Sequence, residues 1–366
     1  MTSTARMSGA TDTPGTPGTS GAAGTPGTVL PPAVMQLREL ALSAACAAAV
    51  RAAARLGVAD ALGDEPATAQ ALAATVDADA HALARLLRAL AAHGIFAELP
   101  DGRFRHTETS RLLREDAPRS LRYSALWATE PWTWALWPHL EEAVRTGKEV
   151  FAGLYGSEFF SWLHTEEARE SSEVFDKAMT QSSILSARAI AEVVTIDGAR
   201  EIVDIAGGQG MVLATLLEKH LGLRGTLFDL PEVVADADPR LRDGGSLAGR
   251  ARLVPGDCRR TVPEGADLYL LKNILEWDDE STVRTLRNVA EAAPAGARVV
   301  VMENLVDGSP EARFTTAMDL MLLLNVGGRK HTKAGLSALI QEAGLQLESV
   351  RPVNSYLHLF ESRVQA

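Results

Sequence analysis

The chain has 366 residues, of which 46% are hydrophobic and 23% are charged, and its formal net charge is -11 at pH 7. This length exceeds the size at which one hydrophobic core usually keeps growing, so we expect two ordered domains. The charge argues against nucleic acid as the main partner, because an acidic protein repels a polyanion unless a basic patch is segregated, and the sequence has no such patch.

The cysteine count and the hydropathy pattern indicate the compartment. Cys46 and Cys258 are the two cysteines; they are too few for a disulfide framework and lack metal-ligand spacing. No stretch reaches the roughly eighteen apolar residues of a membrane span, and the N-terminus lacks a basic-then-apolar signal pattern. We therefore expect a cytoplasmic protein without a metal and without a membrane partner.

The first thirty residues, centred on TPGTPGTSGAAGTPGT, contain almost nothing that folding could bury. Burial of apolar surface is what offsets the entropy of ordering a chain. We therefore predict that residues 1–30 are a disordered tail, and we assign them no function.

Residues 31–120 have a helical, Ala- and Leu-rich pattern that ends in a hairpin. In ALARLLRALAAHGIF (82–96) one apolar stripe at helical spacing is followed by Gly94 as a stop signal. The stripe consists of Leu83, Leu86, Leu87 and Leu90. IFAELPDGRFRHT (95–107) predicts a hairpin around Pro-Asp-Gly, and the whole suggests a winged-helix unit, a fold that often binds DNA. Because the segment holds ten Arg, no Lys and eleven Asp plus Glu, a balance of -1, a dimerisation domain is favoured.

Residues 121–190 are rich in aromatic side chains: Trp127, Trp132, Trp134, Trp137, Phe151, Tyr155, Phe159, Phe160 and Trp162. A single Trp or Phe is more often part of a core than of a pocket. Together, however, they lie between two predicted domains, where ligand clefts tend to form. Trp127 and Phe160 are our candidates for contact with a substrate.

From about Ala199 the hydrophobic period changes. Short apolar runs separated by helix-length stretches predict strands alternating with helices over a parallel sheet. The runs are EIVDIAGGQG, GTLFDLPEVV, ARLVPGD, ADLYLLKNIL and ARVVVMENLV, and LQLESVRPV with SYLHLF would add a closing pair of strands.

The first run leads from a strand into the small residues Ala206, Gly207, Gly208 and Gly210. Small residues let the backbone turn sharply and let a ligand approach closely, with a helix N-terminus behind them. Such a turn alone is compatible with NAD, with a methyl donor or with no ligand.

Two acids sharpen this prediction. Asp229 ends the next strand, where a carboxylate can accept hydrogen bonds from ribose hydroxyls, and Asp257 ends the third strand, near the expected position of an adenine amine. Either acid alone could instead cap a helix. Their order after the glycine-rich turn favours a nucleotide-like site.

On these motifs, the chain from about residue 31 resembles the class I S-adenosylmethionine-dependent O-methyltransferases, a family that includes plant caffeic acid O-methyltransferases and bacterial tailoring enzymes. VDIAGGQG is similar to the family's VDVGGGxG, RGTLFDLPEVV nearly matches its second motif, and PGD, LYLLKNIL, VVVMENLV and NVGGRKHT follow in order. The resemblance implies an α/β fold: a winged-helix dimerisation domain (31–120), a helical linker and substrate-pocket segment (121–190) and a Rossmann-like seven-stranded methyltransferase domain (191–366). It also implies a homodimer through the N-terminal domain.

The resemblance further implies S-adenosylmethionine as cofactor and S-adenosylhomocysteine as its product. The implied cofactor pocket consists of Asp204, Ala206, Gly207, Gly208, Gly210, Asp229, Leu230, Asp257, Cys258, Lys272 and Trp277. The glycine-rich turn would shape the methionine end, Asp229 would hold the ribose, and Asp257 with Cys258 would face the adenine. The implied acceptor wall consists of Met179, Met318, Asp319, Met321 and Asn325, and a Met-rich wall suits a flat apolar substrate.

The catalytic positions depart from the family pattern. Many members carry LHDW, with His as the base, whereas this chain has LEW at 275–277, similar to the LNW of a bacterial polyketide and anthracycline tailoring branch. Glu276 replaces either the His or the following Asp, and both alignments remain open. Glu303 matches an orienting carboxylate of the family, and Lys330 stands where Glu is usual.

Glu276 has two interpretations. It is a base whose pKa is raised by burial, or an early-turn acid that interacts with a helix dipole, and the second is favoured. His331 is an alternative base, although a surface position at a helix start is slightly favoured for it.

A phenolic oxygen is the acceptor that this pattern favours. A positioned base contributes about 10²–10⁴-fold, whereas orientation supplies effective molarities of roughly 10⁵–10⁸ M. Proximity can therefore carry most of the rate of O-methylation if the acceptor is already acidic. Two alternatives are an enzyme with changed chemistry (C- or N-methylation, hydroxylation, decarboxylation or cyclisation) and a winged-helix regulator that senses a metabolite.

Overall fold

The computed structural model describes residues 30–308, 310 and 312–365, so the predicted tail lies outside the described residues except for Leu30. The chain divides into a short unit that ends at Ala44 and a large unit from Ala45 onward. The short unit contains helix α1 (Pro32–Ala41) and the start of α2 (Ser43–Leu56). Pro32 occupies the first position of α1, where the missing N–H leaves no hydrogen bond unmade.

The large unit begins with helices that surround a small sheet. The helices are α3 (Val58–Leu62), α4 (Ala69–Val76), α5 (Ala80–Ala92) and α6 (Glu108–Arg111), and the strands are β1 (Ala67–Thr68), β2 (Phe96–Glu98) and β3 (Arg103–His106). The strand order is β1-β3-β2, and β2 with β3 forms the predicted antiparallel hairpin. Leu83, Leu87 and Leu90 of the predicted stripe are buried. The predicted winged-helix arrangement is confirmed.

A helical segment follows and contains an aromatic core. Its helices are α7 (Arg122–Trp127), α8 (Pro131–Leu136), α9 (Leu140–Thr146), α10 (Phe151–Tyr155), α11 (Phe159–Leu163) and α12 (Arg169–Val193), with a 3-10 turn at Trp137–His139. Trp132, Phe151, Phe159 and Trp162 are buried in one cluster with Leu324. The Phe151 and Phe159 rings meet edge to face, with their centroids 5.3 Å apart. Most of the predicted aromatic residues therefore stabilise a core.

The rest of the chain forms a seven-stranded sheet with helices. The strands are β4 (Glu201–Ile205), β5 (Arg224–Asp229), β6 (Ala251–Pro255), β7 (Leu268–Lys272), β8 (Arg298–Asn304), β9 (Leu345–Pro352) and β10 (Leu357–Val364). The helices are α13 (Met211–Lys219), α14 (Pro231–Ala235), α15 (Asp279–Ala292), α16 (Ala312–Val326) and α17 (Lys333–Glu342).

The strand order β6-β5-β4-β7-β8-β10-β9 places a change of direction between β4 and β7. Strands β4 to β8 pair in parallel, and the closing strand β10 is antiparallel to both β8 and β9. Ligands of open α/β sheets bind in the crevice at the carboxyl ends of the strands, where the order reverses. The predicted seven-stranded α/β fold is confirmed, and its crevice lies after β4 and β7.

Among the described residues, no single helix is long and apolar enough to cross a membrane; α1 and α2 pass that test of length and composition only as a pair.

Candidate active site

A tight turn of small residues follows β4 at the crevice. Ala206, Gly208 and Gly210 have positive φ values of 48°, 61° and 84°, a conformation that glycine adopts without strain and alanine does not. A Cβ on Gly207 would lie 2.6 Å from the carboxyl carbon of Asp204, and one on Gly210 would lie 2.5 Å from Leu241. Positions 207 and 210 therefore admit only glycine without a shift of their neighbours.

Asp204, in β4 just before this turn, is a buried acid with an unsatisfied oxygen. It is 2% exposed, and its Oδ2 has no hydrogen-bond partner in the described part of the chain. Burial raises the pKa of Asp204 to about 7, with the charge of Lys272 acting in the opposite direction. A buried carboxylate without a full set of partners is a group that a polar ligand can satisfy.

Asp229 connects the end of β5 to the glycine-rich turn. The Gly208 N–H donates to its Oδ2 at 2.7 Å, and the Leu230 N–H donates to its Oδ1 at 2.7 Å. Burial raises the pKa of Asp229 to about 6. Asp229 does not occupy the cap position of α14, which belongs to Leu230, so its carboxylate faces the turn as a ribose-binding group would.

Asp257 lies beyond the end of β6 and binds Arg259, a residue that the sequence analysis missed. The Asp257 Oδ1 accepts from the Arg259 backbone N–H at 2.9 Å and from its guanidinium at 3.1 Å. The same guanidinium lies 5.8 Å from the ring centroid of Trp277. Cys258 is buried, and desolvation raises the pKa of its thiol to about 12. Arg259 could have been suspected only from its place beside Asp257.

The predicted cofactor residues therefore lie on the same side of the sheet, at or just beyond the carboxyl ends of the four parallel strands β4 to β7. A turn in which a Cβ at Gly207 or Gly210 would overlap its neighbours, an unsatisfied Asp204 and a carboxylate bonded to the turn fit a nucleoside with a polar tail. In the described ranges, no three His, Cys, Asp or Glu side chains cluster as metal ligands.

Glu276 forms an ion pair with Lys330, and neither side chain is on the surface. The side chains are 19% and 3% exposed, respectively. Burial works against the charge of Lys330, but Glu276 and Glu303 raise its pKa above the ordinary value. The prediction that Glu276 is an early-turn acid of a helix is wrong, because α15 begins at Asp279 with Asp278 as its N-cap.

Glu303, near the end of β8, organises the loop that carries Glu276. It is 1% exposed, and its Oε1 accepts from the backbone N–H groups of Ile274 and Leu275, both at 3.0 Å. Burial and the charge of Glu276 raise the pKa of Glu303 to about 7. This carboxyl therefore fixes the loop, as expected of an orienting group.

His331 is buried at 3% exposure, so its predicted surface position is wrong. Its Nε2 lies 2.6 Å from the carbonyl oxygen of Leu275, a geometry in which Nε2–H donates and Nδ1 carries the lone pair. Nδ1 has no partner among the residues described. Burial lowers the pKa of His331, so the imidazole is neutral at pH 7 and able to accept a proton.

The predicted acceptor residues lie on four helices, α7, α11, α12 and α16. Met318, Met321 and Asn325 share one face of α16, since they are spaced by three and four residues. Asn325 is 6% exposed, and its Oδ1 lacks a partner within the described chain. Asp319 Oδ1 accepts from the backbone N–H of Lys330 at 2.6 Å.

The two aromatic candidates, Trp127 and Phe160, contact α12 at Phe175. The rings of Trp127 and Phe160 both lie 6.4 Å from that of Phe175. Met179 is partly buried on α12 next to Thr180, whose hydroxyl donates to Gln209 Oε1 of the glycine-rich turn at 2.9 Å. Helix α12 thus links predicted acceptor residues to the glycine-rich turn, through a bond between residues 29 positions apart that no local pattern predicts.

Comparison with known families decides which proteins share this arrangement. The O-methyltransferase domain family matches residues 137–346, and the O-methyltransferase dimerisation domain family matches residues 38–116. The chain belongs to the O-methyltransferase family. The resemblance inferred from VDIAGGQG and the later motifs is confirmed, and the chain is an enzyme of the methyltransferase class.

Similar members of the family come from Streptomyces. Mitomycin biosynthesis 6-O-methyltransferase of Streptomyces lavendulae is 38% identical over 84% of this chain and 87% of the relative. O-demethylpuromycin-O-methyltransferase of Streptomyces alboniger is 36% identical over 81% and 80%. Aclacinomycin 10-hydroxylase of Streptomyces purpurascens is 33% identical over 84% and 83%, so the family includes a protein named for another reaction.

Solved structures of the family are also similar. That of mitomycin 7-O-methyltransferase has a TM-score of 0.82 at 36% identity and covers 91% of this chain and 98% of its own. The S-adenosylhomocysteine-bound form of a methyltransferase in calicheamicin biosynthesis has a TM-score of 0.80 at 35% identity, with the same coverage.

Proposed function

We propose that this O-methyltransferase transfers a methyl group from S-adenosylmethionine to a phenolic oxygen of a small aromatic or polyketide-like secondary metabolite. The observation that carries the cofactor assignment is the glycine-rich turn bonded to Asp229 at the point where the strand order reverses. The similar proteins named for mitomycin and puromycin O-methylation support the substrate class.

The residues of the crevice fit S-adenosylmethionine. Bound there, the cofactor supplies an electrophilic methyl group on a positively charged sulfur. Asp204 and the turn of Ala206, Gly207, Gly208 and Gly210 would receive the methionine part. The Asp229 carboxylate would accept hydrogen bonds from the ribose hydroxyls, with Leu230 beside it. Asp257, Cys258 and Trp277 would hold the adenine, and Lys272 would balance the charge of Asp204.

Catalysis rests on orientation more than on a strong base. Methyl transfer needs no protonation of the leaving group, and holding two reactants in line supplies effective molarities of about 10⁵–10⁸ M. Glu303 acts as a positioning residue through Ile274 and Leu275. His331, neutral and with a free lone pair at Nδ1, can assist by accepting a proton or a hydrogen bond. Glu276, which is paired with Lys330, can assist through its remaining hydrogen-bonding capacity.

The acceptor pocket would be formed by α16 and α12 and by aromatic residues around Phe175. We assign its walls to Trp127, Phe160, Met179, Met318, Asp319, Met321 and Asn325. Thioether and aromatic side chains favour a flat, largely apolar acceptor, and the amide of Asn325 provides a polar contact. We also propose a cytoplasmic homodimer joined through its N-terminal domain, with domains at 31–120, 121–190 and 191–366.

A second candidate keeps the fold and changes the reaction. Glu276 and Lys330, two departures from the family's catalytic pattern, form an ion pair. Together with the similar protein named as a 10-hydroxylase, this supports C- or N-methylation or a hydroxylation. Membership of the O-methyltransferase family favours either enzyme over a regulator that senses a metabolite.

Mass spectrometry distinguishes the two candidates. The protein is incubated with S-adenosylmethionine carrying a trideuterated methyl group and with a panel of hydroxylated naphthoic acids, anthraquinones and their amino analogues. O-methylation predicts products that carry one intact CD₃ group on oxygen and an equal amount of S-adenosylhomocysteine. Products that gain oxygen, or CD₃ on carbon or nitrogen alone, would contradict the proposal.

A further inference from the structure

Lys330 is a buried ammonium whose hydrogen-bonding capacity is mostly unused. Its side chain is 3% exposed, and its Nζ donates to the carboxylate of Glu276. An ammonium has three N–H donors, and burying it costs several kcal/mol unless they are satisfied. Within the described parts of the chain, Glu276 is the one hydrogen-bond partner of Nζ. Two donors are therefore available to a ligand.

A structural role does not account for this ion pair, because the two loops that it joins are held together on either side of it. Before Lys330, Gly328 packs so closely that a Cβ would overlap the carbonyl oxygen of Glu276. After Lys330, His331 Nε2 bonds the carbonyl oxygen of Leu275 at 2.6 Å. Apolar replacement of a buried ion pair is often neutral or stabilising, so the charges at Glu276 and Lys330 call for another explanation.

The pair belongs to a buried charge cluster that reaches the cofactor turn. The cluster consists of Asp204, Lys272, Glu276, Glu303 and Lys330. Lys272 interacts electrostatically with each of the other four, and Asp204 adjoins the glycine-rich turn. Lys330 is therefore linked electrostatically to the charges beside the glycine-rich turn, and its backbone N–H donates to Asp319 of α16.

The charges around Lys330 keep it protonated. The groups that face it are the carboxyls of Glu276, Glu303 and Asp319, which together outweigh burial and raise its pKa. The pair therefore offers an acceptor the fixed positive charge of Lys330.

We propose that the Lys330 ammonium binds the acceptor oxygen as a phenolate while Glu276 holds the ammonium in position, so that the enzyme selects acidic phenols. This inference rests on the proposed function. The phenol loses its proton to solvent before the transfer. The phenolate oxygen then uses a lone pair to form the new O–CH₃ bond, the S–CH₃ bond breaks, and its electron pair stays on sulfur, which becomes a neutral thioether. The ether product carries no extra proton, so the transfer step needs no base.

The test is an absorbance titration of phenol probes bound to protein that is saturated with S-adenosylhomocysteine, so that no turnover is needed. The probes are 4-nitrophenol and the larger 4-nitro-1-naphthol, whose phenolates absorb at longer wavelength than the phenols. We expect the unaltered protein to lower the apparent pKa of a bound probe by about one unit, a roughly tenfold preference for the phenolate. Lys330→Met should abolish this shift, and Lys330→Arg should keep most of it.

Two further variants control for folding and for non-specific charge. Lys333→Met removes an exposed ammonium three residues away and should leave the shift intact. Glu276→Gln/Lys330→Met removes both charges, which should preserve the fold if Lys330→Met alone does not, and it should also show no shift. Each variant is titrated calorimetrically with S-adenosylhomocysteine.

The outcomes separate this inference from the proposed function. Failure of the unaltered protein to bind S-adenosylhomocysteine would refute the cofactor assignment itself. If it binds S-adenosylhomocysteine but neither probe binds, or both bind with unshifted pKa, the role of Lys330 is refuted while the proposed function stands. A shift that survives Lys330→Met but disappears in the double variant Glu276→Gln/Lys330→Met would overturn the assignment in favour of Glu276.

Discussion

Adding one methyl group at Gly207 tests whether the turn after β4 is a cradle for the cofactor. A Cβ at this position would lie 2.6 Å from both Cγ and Oδ2 of Asp204 and 2.7 Å from Cδ1 of Leu227. These neighbours cannot move away easily, because Asp204 is 2% exposed and Leu227 is fully buried. The Gly207→Ala chain must therefore shift its backbone at the turn or displace the Asp204 carboxyl.

The size of the effect follows from that overlap. Carbon atoms in contact normally lie about 3.5–4.0 Å apart, so the new methyl group is roughly 1 Å too close to its neighbours. Overpacking of this kind costs about 1–3 kcal/mol. If the strain is relieved by moving the turn, a loss of that size weakens cofactor binding by roughly 5- to 150-fold.

Calorimetric titration with S-adenosylhomocysteine measures this loss, and Gly222→Ala is the matched control. Gly222 has open space around its Cβ position, so the same substitution there should leave the affinity unchanged. Thermal melts establish that both variants are folded at the titration temperature. Wild-type affinity in Gly207→Ala would refute the assignment of this turn to the cofactor.

Three further predictions follow from the site and the core. Because burial and Glu276 raise the pKa of Glu303 from 4.5 to about 7, Glu303 holds its proton more tightly in the folded protein. Its contribution to the free energy of unfolding should therefore fall by roughly 3 kcal/mol as the pH rises from about 4.5 to 7. Urea unfolding at both ends of this range should show that Glu303→Gln loses this component; an unchanged pH dependence would contradict it. Thr180→Val removes the 2.9 Å bond to Gln209 and should weaken S-adenosylhomocysteine binding by about 2- to 10-fold, whereas Thr146→Val, at an exposed position, should not. Equal affinities of the two variants would show that the bond between α12 and the turn does not support binding. Phe151→Ala, at a fully buried position of the aromatic core, should lower the free energy of unfolding by about 3–5 kcal/mol in urea, and a loss below 1 kcal/mol would show that this cluster is not a core.

Local patterns explain why so much of the fold could be predicted from sequence. The stripe of α5 and the hairpin at Pro-Asp-Gly depend on residues close in the chain, and both form as expected. The glycine-rich turn and Asp229 also sit at strand ends, and parallel strands bring their carboxyl ends to one edge. Spacing along the chain therefore placed these groups correctly.

The catalytic side could not be predicted in the same way, because its partners are distant in sequence. Glu276 and Lys330 are 54 residues apart, and His331 bonds Leu275 across 56 residues. Two predictions were wrong, a helix position for Glu276 and a surface position for His331. Both relied only on the residues adjacent in sequence. In the folded protein, burial and long-range partners decide the state of each group.

The most direct test of the central claim is calorimetric titration of the purified protein with S-adenosylmethionine and, separately, with S-adenosylhomocysteine, alongside the Asp229→Ala variant. We expect one site per chain, affinities near the micromolar range for both compounds, and at least tenfold weaker binding in Asp229→Ala, since the ribose would lose its carboxylate partner. Absence of binding to either compound, or equal affinity in Asp229→Ala, would contradict the account.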